Sequence, residues 1–137
     1  MSDVLIQKLA SLDRCMSRVK EEFSPKDEFL TNYTKQDAAI LNLLRACETC
    51  IDIANSLIKE RKLGLYENAR GGFELLLDNG LLTKESTLAM KRMLGFRNIA
   101  VHEYQKMDID IVISIIEKHL GDFEEFANHI KRAINKA

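Results

Sequence analysis

Residues 97–104, RNIAVHEY, place an arginine, a histidine and a tyrosine within one short segment. The guanidinium of Arg97 presents a planar set of donors that suits the oxygens of a phosphate group. The imidazole of His102, with an unperturbed pKa of about 6.5, can both accept and donate a proton near neutral pH. Cleavage of a phosphodiester needs both kinds of group, and this segment concentrates more chemistry than any other in the sequence.

The spacing of these side chains decides how they can meet. On a helix, at roughly 100° per residue, Arg97 and Tyr104 share a face, whereas Arg97 and His102 point about 140° apart. The helix must therefore end near His102, or a two-fold partner must supply a second copy of the segment. We favour a combination of the two. The alternative is a structural role, since a single histidine near a helix C-terminus often only complements the helix dipole.

The composition predicts one domain, residues 1–137, that is large enough to bury a core. The 20 basic and 21 acidic residues leave the chain nearly neutral, which disfavours a broad binder of polyanions. RNA binding would need a local basic patch. Lys91 and Arg92 could extend such a patch from Arg97, or could be ordinary surface cations. Asp52 could likewise face the motif or the solvent, and we favour the solvent.

The three cysteines, the lack of a signal peptide and the lack of a long apolar run predict a cytoplasmic protein with reduced thiols. Cys47 and Cys50 have the spacing of a metal or redox pair. They lie in an apolar helical repeat, however, and no second Cys/His pair has a compatible spacing. We therefore expect buried thiols and no metal or other cofactor.

Hydrophobic periodicity predicts an all-α, up-and-down bundle of four to five helices. The caps and breakers that bound them are Ser, Thr, Asn or Asp residues at the N-termini and Pro or Gly residues at the C-termini. The predicted segments are Ser2 to Pro25, about Thr34 to Lys62 after a cap at Asn32 or Thr34, about Tyr66 to Asp78, Thr83 to the motif, and Asp108 to about Ile134.

Glycines add detail to this prediction. Gly64 is the expected left-handed residue after the second helix, and Asn79-Gly80 is expected to form a left-handed turn after the third. Gly71-Gly72, predicted in the middle of the third helix, indicates close helix packing or local mobility. A bend in the last helix is expected near Gly121.

The helix that carries the motif has two apolar stripes. Ala89, Met93, Phe96 and Ala100 form the first, and Met90, Leu94 and Val101 the second. A helix that is apolar over so much of its circumference has more than one neighbour. We therefore expect a dimer organised around this helix.

The motif resembles the Arg-x4-His-x-Tyr signature of the HepT-like HEPN ribonucleases, the toxins of HEPN/minimal-nucleotidyltransferase toxin–antitoxin pairs. Arg97, His102 and Tyr104 match its positions. The resemblance covers roughly residues 4 to 134, and it includes Cys50-Ile51-Asp52-Ile53-Ala54, Phe73-Glu74-Leu75-Leu76 with the following Asn79-Gly80, and Phe96 before the arginine.

The resemblance implies an HEPN-like bundle that forms a homodimer and a metal-independent endoribonuclease. The RNA 2′-hydroxyl would attack the adjacent phosphorus, with His102 as acid or base and Arg97 stabilising the phosphorane. Asn98 would orient the histidine or the phosphate. The resemblance further implies that a partner nucleotidyltransferase neutralises the toxin by transferring AMP to Tyr104.

A non-catalytic helical dimer that binds a nucleotide or a nucleotidyltransferase is the alternative. An arginine or histidine of the motif buried in a salt bridge at a dry interface would favour it. A metal-dependent nuclease or phosphatase lacks a ligand set in this sequence.

Overall fold

The computed structural model describes residues 3–135, which form α-helices joined by short turns, with no strand among them. The all-α prediction is confirmed. All five predicted helices are present; a one-turn helix is added, and the last helix is divided in two. The elements are α1 (Asp3–Phe23), α2 (Lys26–Phe29), α3 (Tyr33–Arg61), α4 (Ala69–Asp78), α5 (Lys84–His102), a 3-10 turn (Tyr104–Lys106), α6 (Ile109–Lys118) and α7 (Leu120–Asn135).

The long helix α3 is the element against which most others pack. It runs antiparallel to α1, because Lys8 pairs with Asp52 near one end and Lys35 with Glu22 near the other. Asn32 caps α3 as predicted, its side chain accepting a hydrogen bond from the backbone N–H of Lys35. The predicted cap at Ser2 lies outside the described residues.

The C-terminus of α3 differs from the prediction. Lys62, not Gly64, is the left-handed residue directly after the helix, with φ of 53°. The backbone N–H of Leu63 then donates to the carbonyl of Ile58 at 3.1 Å, and the Leu63 side chain packs on the core. The left-handed residue therefore comes two positions before Gly64, where the chain brings Leu63 against the core. Gly64 also has a positive φ, of 143°.

The short helix α4 begins after a cap at Asn68, so Gly71 and Gly72 lie in its first turn and not in its middle. Gly72 is buried, and a Cβ there would lie 3.4 Å from the Tyr66 ring. The Tyr66 hydroxyl donates to Asn55 of α3 at 2.6 Å. Close packing, one of the two predicted roles of the glycine pair, is therefore confirmed.

The motif helix α5 is capped by Thr83 as predicted and packs against α3, α4 and α7. Both apolar stripes are largely buried within the same chain, since Met93 of the first and Met90 and Leu94 of the second are all covered. The second neighbour inferred from the stripes is thus intramolecular. Val101, which is 45% exposed, is the one stripe residue that solvent reaches.

The last predicted helix is broken at His119 and not bent at Gly121. His119 leaves the helical conformation with φ of −127° and ψ of 2°, and its Nδ1 lies 3.1 Å from a carboxylate oxygen of Asp122. The break separates α6 from α7, whose apolar face closes the core through Phe123 and Phe126. Within residues 3–135, no helix is both long and apolar enough to cross a membrane.

Candidate active site

The motif helix ends at His102, near the point predicted from the spacing of Arg97 and His102. α5 runs to His102, and the backbone N–H of Glu103 makes the last helical hydrogen bond, to Ile99 at 2.9 Å. Glu103 then departs from helical geometry, with φ of −138° and ψ of 43°, and Tyr104 opens the 3-10 turn. The motif therefore occupies a helix end and the turn that follows it.

Arg97 faces α3. Its Nε lies 3.4 Å from a carboxylate oxygen of Glu48, and 32% of its side chain remains exposed. The Nε itself is buried and makes no hydrogen bond of good geometry within residues 3–135. The guanidinium is also close enough to Cys47 for its charge to act on that thiol. Arg97 is thus anchored at its inner edge while part of its side chain stays open to solvent.

His102 and Asn98 are both exposed, and the described part of the chain offers neither side chain a hydrogen bond or an ion pair. His102 stands in the last turn of α5, about 140° around the helix from Arg97. No contact within this one chain joins the two. The single protomer therefore presents Arg97 towards α3 and His102 towards another side of the same helix.

Tyr104 has a partner that the sequence did not reveal. Its hydroxyl donates a hydrogen bond to Oδ1 of Asp37 at 2.5 Å, and 43% of the residue is exposed. Burial, followed by the hydrogen bond to Asp37 and the charge of that carboxylate, raises the pKa of Tyr104 from its ordinary 10.0 to about 12. The phenol, which is neutral at physiological pH in any tyrosine, therefore loses its proton even less readily here.

α3 thus contacts the motif twice, through Asp37 at Tyr104 and through Glu48 at Arg97. These two acidic residues are eleven positions apart on the helix, which is about three turns, so they lie on one face. This spacing is the sequence signal that could have identified Asp37 and Glu48 as neighbours of the motif. Asp52, the acidic residue weighed from the sequence, pairs instead with Lys8 of α1 at 3.8 Å and is largely exposed, as the solvent interpretation predicted.

Of the two cations that could extend a basic patch from Arg97, one is engaged in an ion pair. Lys91 binds Glu74 of α4 at 2.7 Å, which also holds the pKa of that glutamate below its usual value. Arg92 is exposed and makes no ion pair within residues 3–135. Of the two cations considered, Arg92 alone is therefore free to add to the charge of Arg97.

An apolar cavity of about 340 Å³ lies between α5, the 3-10 turn and α6. Gly95 faces it, and a Cβ at this position would meet nothing within 4 Å. Arg92 and Lys106 also line the cavity and bring positive charge to it. Its apolar lining consists of Met93, Phe96, Ile99, Met107, Ile111 and Ile115.

The cysteines do not form a reactive site. Cys15, Cys47 and Cys50 are free, as predicted, and all three are buried, as predicted for Cys47 and Cys50. Burial raises the pKa of all three thiols, that of Cys47 to about 12. The Cys47 thiol donates to the carbonyl of Met93 at 3.7 Å and so helps to seat α5 on α3. Across residues 3–135, no group of three or more His, Cys, Asp and Glu side chains is arranged to hold a metal ion.

Comparisons with known proteins indicate the same family as the motif does. A family model described as "HepT-like: Ribonuclease HepT-like" matches residues 9–130. An mRNA nuclease HepT from Shewanella oneidensis is 43% identical over 131 residues, which cover 96% of this chain and 98% of the relative.

Solved structures match along almost the whole chain. The tri-AMPylated HEPN toxin of Shewanella oneidensis, in complex with an MNT antitoxin, superposes with a TM-score of 0.91 at 42% identity. The match covers 96% of this chain and 99% of that toxin chain. A toxin–antitoxin complex with AMP-PNP matches with a TM-score of 0.90 at 41% identity, over 96% of this chain and 99% of the other.

Proposed function

The chain belongs to the ribonuclease HepT-like family, and on this premise we propose that it is a metal-independent endoribonuclease toxin of a toxin–antitoxin pair. It would act in the cytoplasm on RNA and be neutralised by a minimal nucleotidyltransferase. The observation that carries the proposal is the state of the two motif side chains. Arg97 is anchored at its Nε but partly exposed, and His102 is exposed without a partner in residues 3–135.

The proposed reaction is an attack of the RNA 2′-hydroxyl on the adjacent phosphorus, which leaves a 2′,3′-cyclic phosphate and a 5′-hydroxyl. His102 removes the 2′-hydroxyl proton, protonates the leaving oxygen, or does both where two copies meet. Arg97 stabilises the negative charge that develops on the phosphorane oxygens. Asn98, exposed one residue after the arginine, orients the histidine or the phosphate.

A homodimer is part of the proposal because one chain directs Arg97 and His102 to different sides of α5. A two-fold axis near the end of α5 would bring the His102 of each chain towards the Arg97 of the other. Val101 and Ile111, which are 45% and 49% exposed, supply apolar surface close to that helix end. Burial of such side chains is a principal source of association free energy.

Control by AMP transfer to Tyr104 is supported by the position of the phenol. Tyr104 is two residues from His102 and has an exposed fraction of 43%, so part of the residue is open to a partner enzyme. Each AMP adds a negative phosphodiester and a base next to the active site. The added charge repels RNA, and the added bulk blocks the groove.

The Arg97–Glu48 ion pair favours the alternative, a non-catalytic helical module that binds a nucleotide or a nucleotidyltransferase. A motif arginine sealed in a salt bridge would be unavailable to a phosphate. With 32% of the Arg97 side chain and 45% of the Glu48 side chain exposed, however, the pair lies at a solvated edge of the bundle. A phosphate can therefore compete for the guanidinium, and we favour the nuclease.

RNA cleavage in excess EDTA tests the proposal. Wild type should cleave, whereas Arg97→Ala and His102→Gln should each lose roughly 10²- to 10⁴-fold in rate. Arg18→Ala, which removes an exposed arginine of α1, is the matched control and should cleave like wild type. Activity that requires added metal, or that survives both motif substitutions, would overturn the proposal. Cleavage products should carry a 2′,3′-cyclic phosphate.

A further inference from the structure

The hydrogen bond between Tyr104 and Asp37 brings a carboxylate onto the hydroxyl that the proposed function makes an AMP acceptor. The oxygen–oxygen distance of 2.5 Å is at the short end of the range for a hydroxyl that donates to a carboxylate. Asp37 lies in the second turn of α3 and Tyr104 on the 3-10 turn, so the contact joins two elements 67 residues apart in the chain. The carboxylate of Asp37 is thus placed to accept the proton of the Tyr104 hydroxyl.

Neither α3 nor the 3-10 turn depends on this hydrogen bond to complete its own backbone hydrogen bonds. The N-terminus of α3 is capped by Asn32, not by Asp37. The 3-10 turn closes its own hydrogen bonds, from the N–H of Lys106 to Glu103 at 2.8 Å and from the N–H of Met107 to Tyr104 at 2.9 Å. Within residues 3–135, the Asp37 side chain makes no other hydrogen bond or ion pair. Its described contact is with the phenol alone.

We propose that Asp37 is the general base for nucleotidyl transfer to Tyr104, a role that rests on the proposed function above. In this step a bond forms between the Tyr104 oxygen and the α-phosphorus of a nucleoside triphosphate. The bond from that phosphorus to the oxygen bridging to the β-phosphorus breaks, and pyrophosphate leaves. The phenol proton passes to the Asp37 carboxylate, so that charge and atoms balance.

The need for a base follows from the acidity of the phenol. With a pKa raised to about 12, the hydroxyl of Tyr104 is almost entirely protonated at neutral pH, and the neutral phenol is a weak nucleophile. As the new oxygen–phosphorus bond forms, the phenol oxygen becomes positively polarised and far more acidic. The proton then moves to the carboxylate during bond formation, which is general base catalysis.

The test measures AMP incorporation by intact mass, with ATP and the partner nucleotidyltransferase of the proposed function as reagents. The toxins compared are wild type, Tyr104→Phe, Asp37→Asn and Asp37→Glu. The amide introduced by Asp37→Asn would still accept the phenol hydrogen bond but could not take the proton, whereas Asp37→Glu would keep a carboxylate. Asp13→Asn, at an exposed aspartate of α1, is the charge-matched control.

The expected result is a fall in kcat for Asp37→Asn of about 10²-fold or more, with the KM for the toxin changed by less than about threefold. Asp37→Glu should recover part of kcat, Asp13→Asn should equal wild type, and Tyr104→Phe should gain no mass. Unmodified Asp37→Asn should unfold cooperatively and should still cleave RNA, which shows that the variant is folded.

Two results would overturn the inference and leave the proposed function standing. In one, Asp37→Asn is modified at the wild-type rate; in the other, its defect lies wholly in KM, which would make Asp37 a docking residue for the enzyme. If wild type gains no AMP, the result contradicts the modification of Tyr104 in the proposed function, and with it the role of Asp37.

Discussion

The Nε of Arg97 lies 3.4 Å from a carboxylate oxygen of Glu48 on α3. The carboxylate of Glu48 carries a negative charge, as does the RNA phosphate that Arg97 is proposed to bind. The glutamate both orients the guanidinium and competes with substrate for it. The two effects separate in kinetics, because orientation acts on kcat and competition acts on KM. Glu48 therefore makes the first prediction.

Glu48→Gln should lower the KM for RNA by roughly two- to fivefold, because a negative charge beside the phosphate site is removed. The free energy of unfolding should fall by less than about 1 kcal/mol, since the ion pair is partly exposed. Steady-state cleavage and urea unfolding measure the two quantities. Glu60→Gln, at an exposed glutamate of the same helix, should change neither. A higher KM in Glu48→Gln would contradict the competition between Glu48 and the phosphate, whereas a lower kcat would measure the loss of orientation.

Tyr104 should titrate near pH 12, about two units above the ordinary 10.0 for tyrosine. The unfolded chain loses this proton first, so the stability that the protonated phenol contributes is complete below pH 10 and declines as the pH rises towards 12. The ultraviolet difference between wild type and Tyr104→Phe isolates the residue. Asp37→Asn should lower the pH midpoint of the Tyr104 titration, because it removes the carboxylate that faces the phenol.

The nearest other charges on the turn, Glu103 and Lys106, pair with each other at 3.9 Å. An unchanged midpoint in Asp37→Asn would argue against the contact in solution.

Two glycines with open surroundings should respond to alanine in opposite directions. A Cβ at Gly95 or at Gly80 meets nothing within 4 Å, but Gly80 has φ of 74° whereas Gly95 lies inside α5. Gly95→Ala should stabilise the fold by about 0.5–1 kcal/mol through helix propensity. Gly80→Ala should destabilise it by about 1 kcal/mol through a strained backbone. Urea unfolding of both variants checks the pair. A loss of stability in Gly95→Ala would mean that a neighbour outside this chain approaches the glycine closely.

Ile111→Glu should convert the proposed dimer to a monomer and reduce RNA cleavage with it. Ile111 is 49% exposed and lines the cavity beside the motif helix, so a carboxylate there would be desolvated in the proposed interface. Analytical ultracentrifugation gives the oligomeric state, and cleavage is measured on the same samples. Leu65→Glu, at a leucine that is 99% exposed and outside that cavity, is the control. Full cleavage by a monomeric Ile111→Glu would remove the dimer from the mechanism.

The parts of the fold that local sequence signals determine were predicted well. Asn32, Thr83 and Asp108 each cap the helix that they were expected to cap, because a short polar side chain satisfies the first N–H groups without reference to the rest of the chain. The end of the motif helix near His102 was also predicted, from the spacing of Arg97 and His102, but it does not bring the two side chains together within one chain. Periodicity identified the buried stripes because burial repeats with the helical turn.

The parts that depend on distant contacts were predicted less well. Lys62 turns where Gly64 was expected, directly before Leu63 packs against the core, and nothing in the adjacent residues signals that contact. Asp37 and Glu48 were missed because their partners lie 67 and 49 positions away, and only the alignment of α3 with α5 brings them together. The roles of Arg97, Asn98, His102 and Tyr104 in catalysis and modification remain predictions.

The turn that bears Tyr104 is bounded on both sides by helices that complete their own hydrogen bonds. Asp108 caps α6 through the N–H of Asp110, and Ile99 accepts the last hydrogen bond of α5. Residues 103–107 are held to the rest of the fold through Tyr104, which donates to Asp37, and through Met107, which packs on the core. Under the proposed function, an exchange of this segment between two relatives would replace the tyrosine that accepts AMP and leave Arg97 and His102 in place.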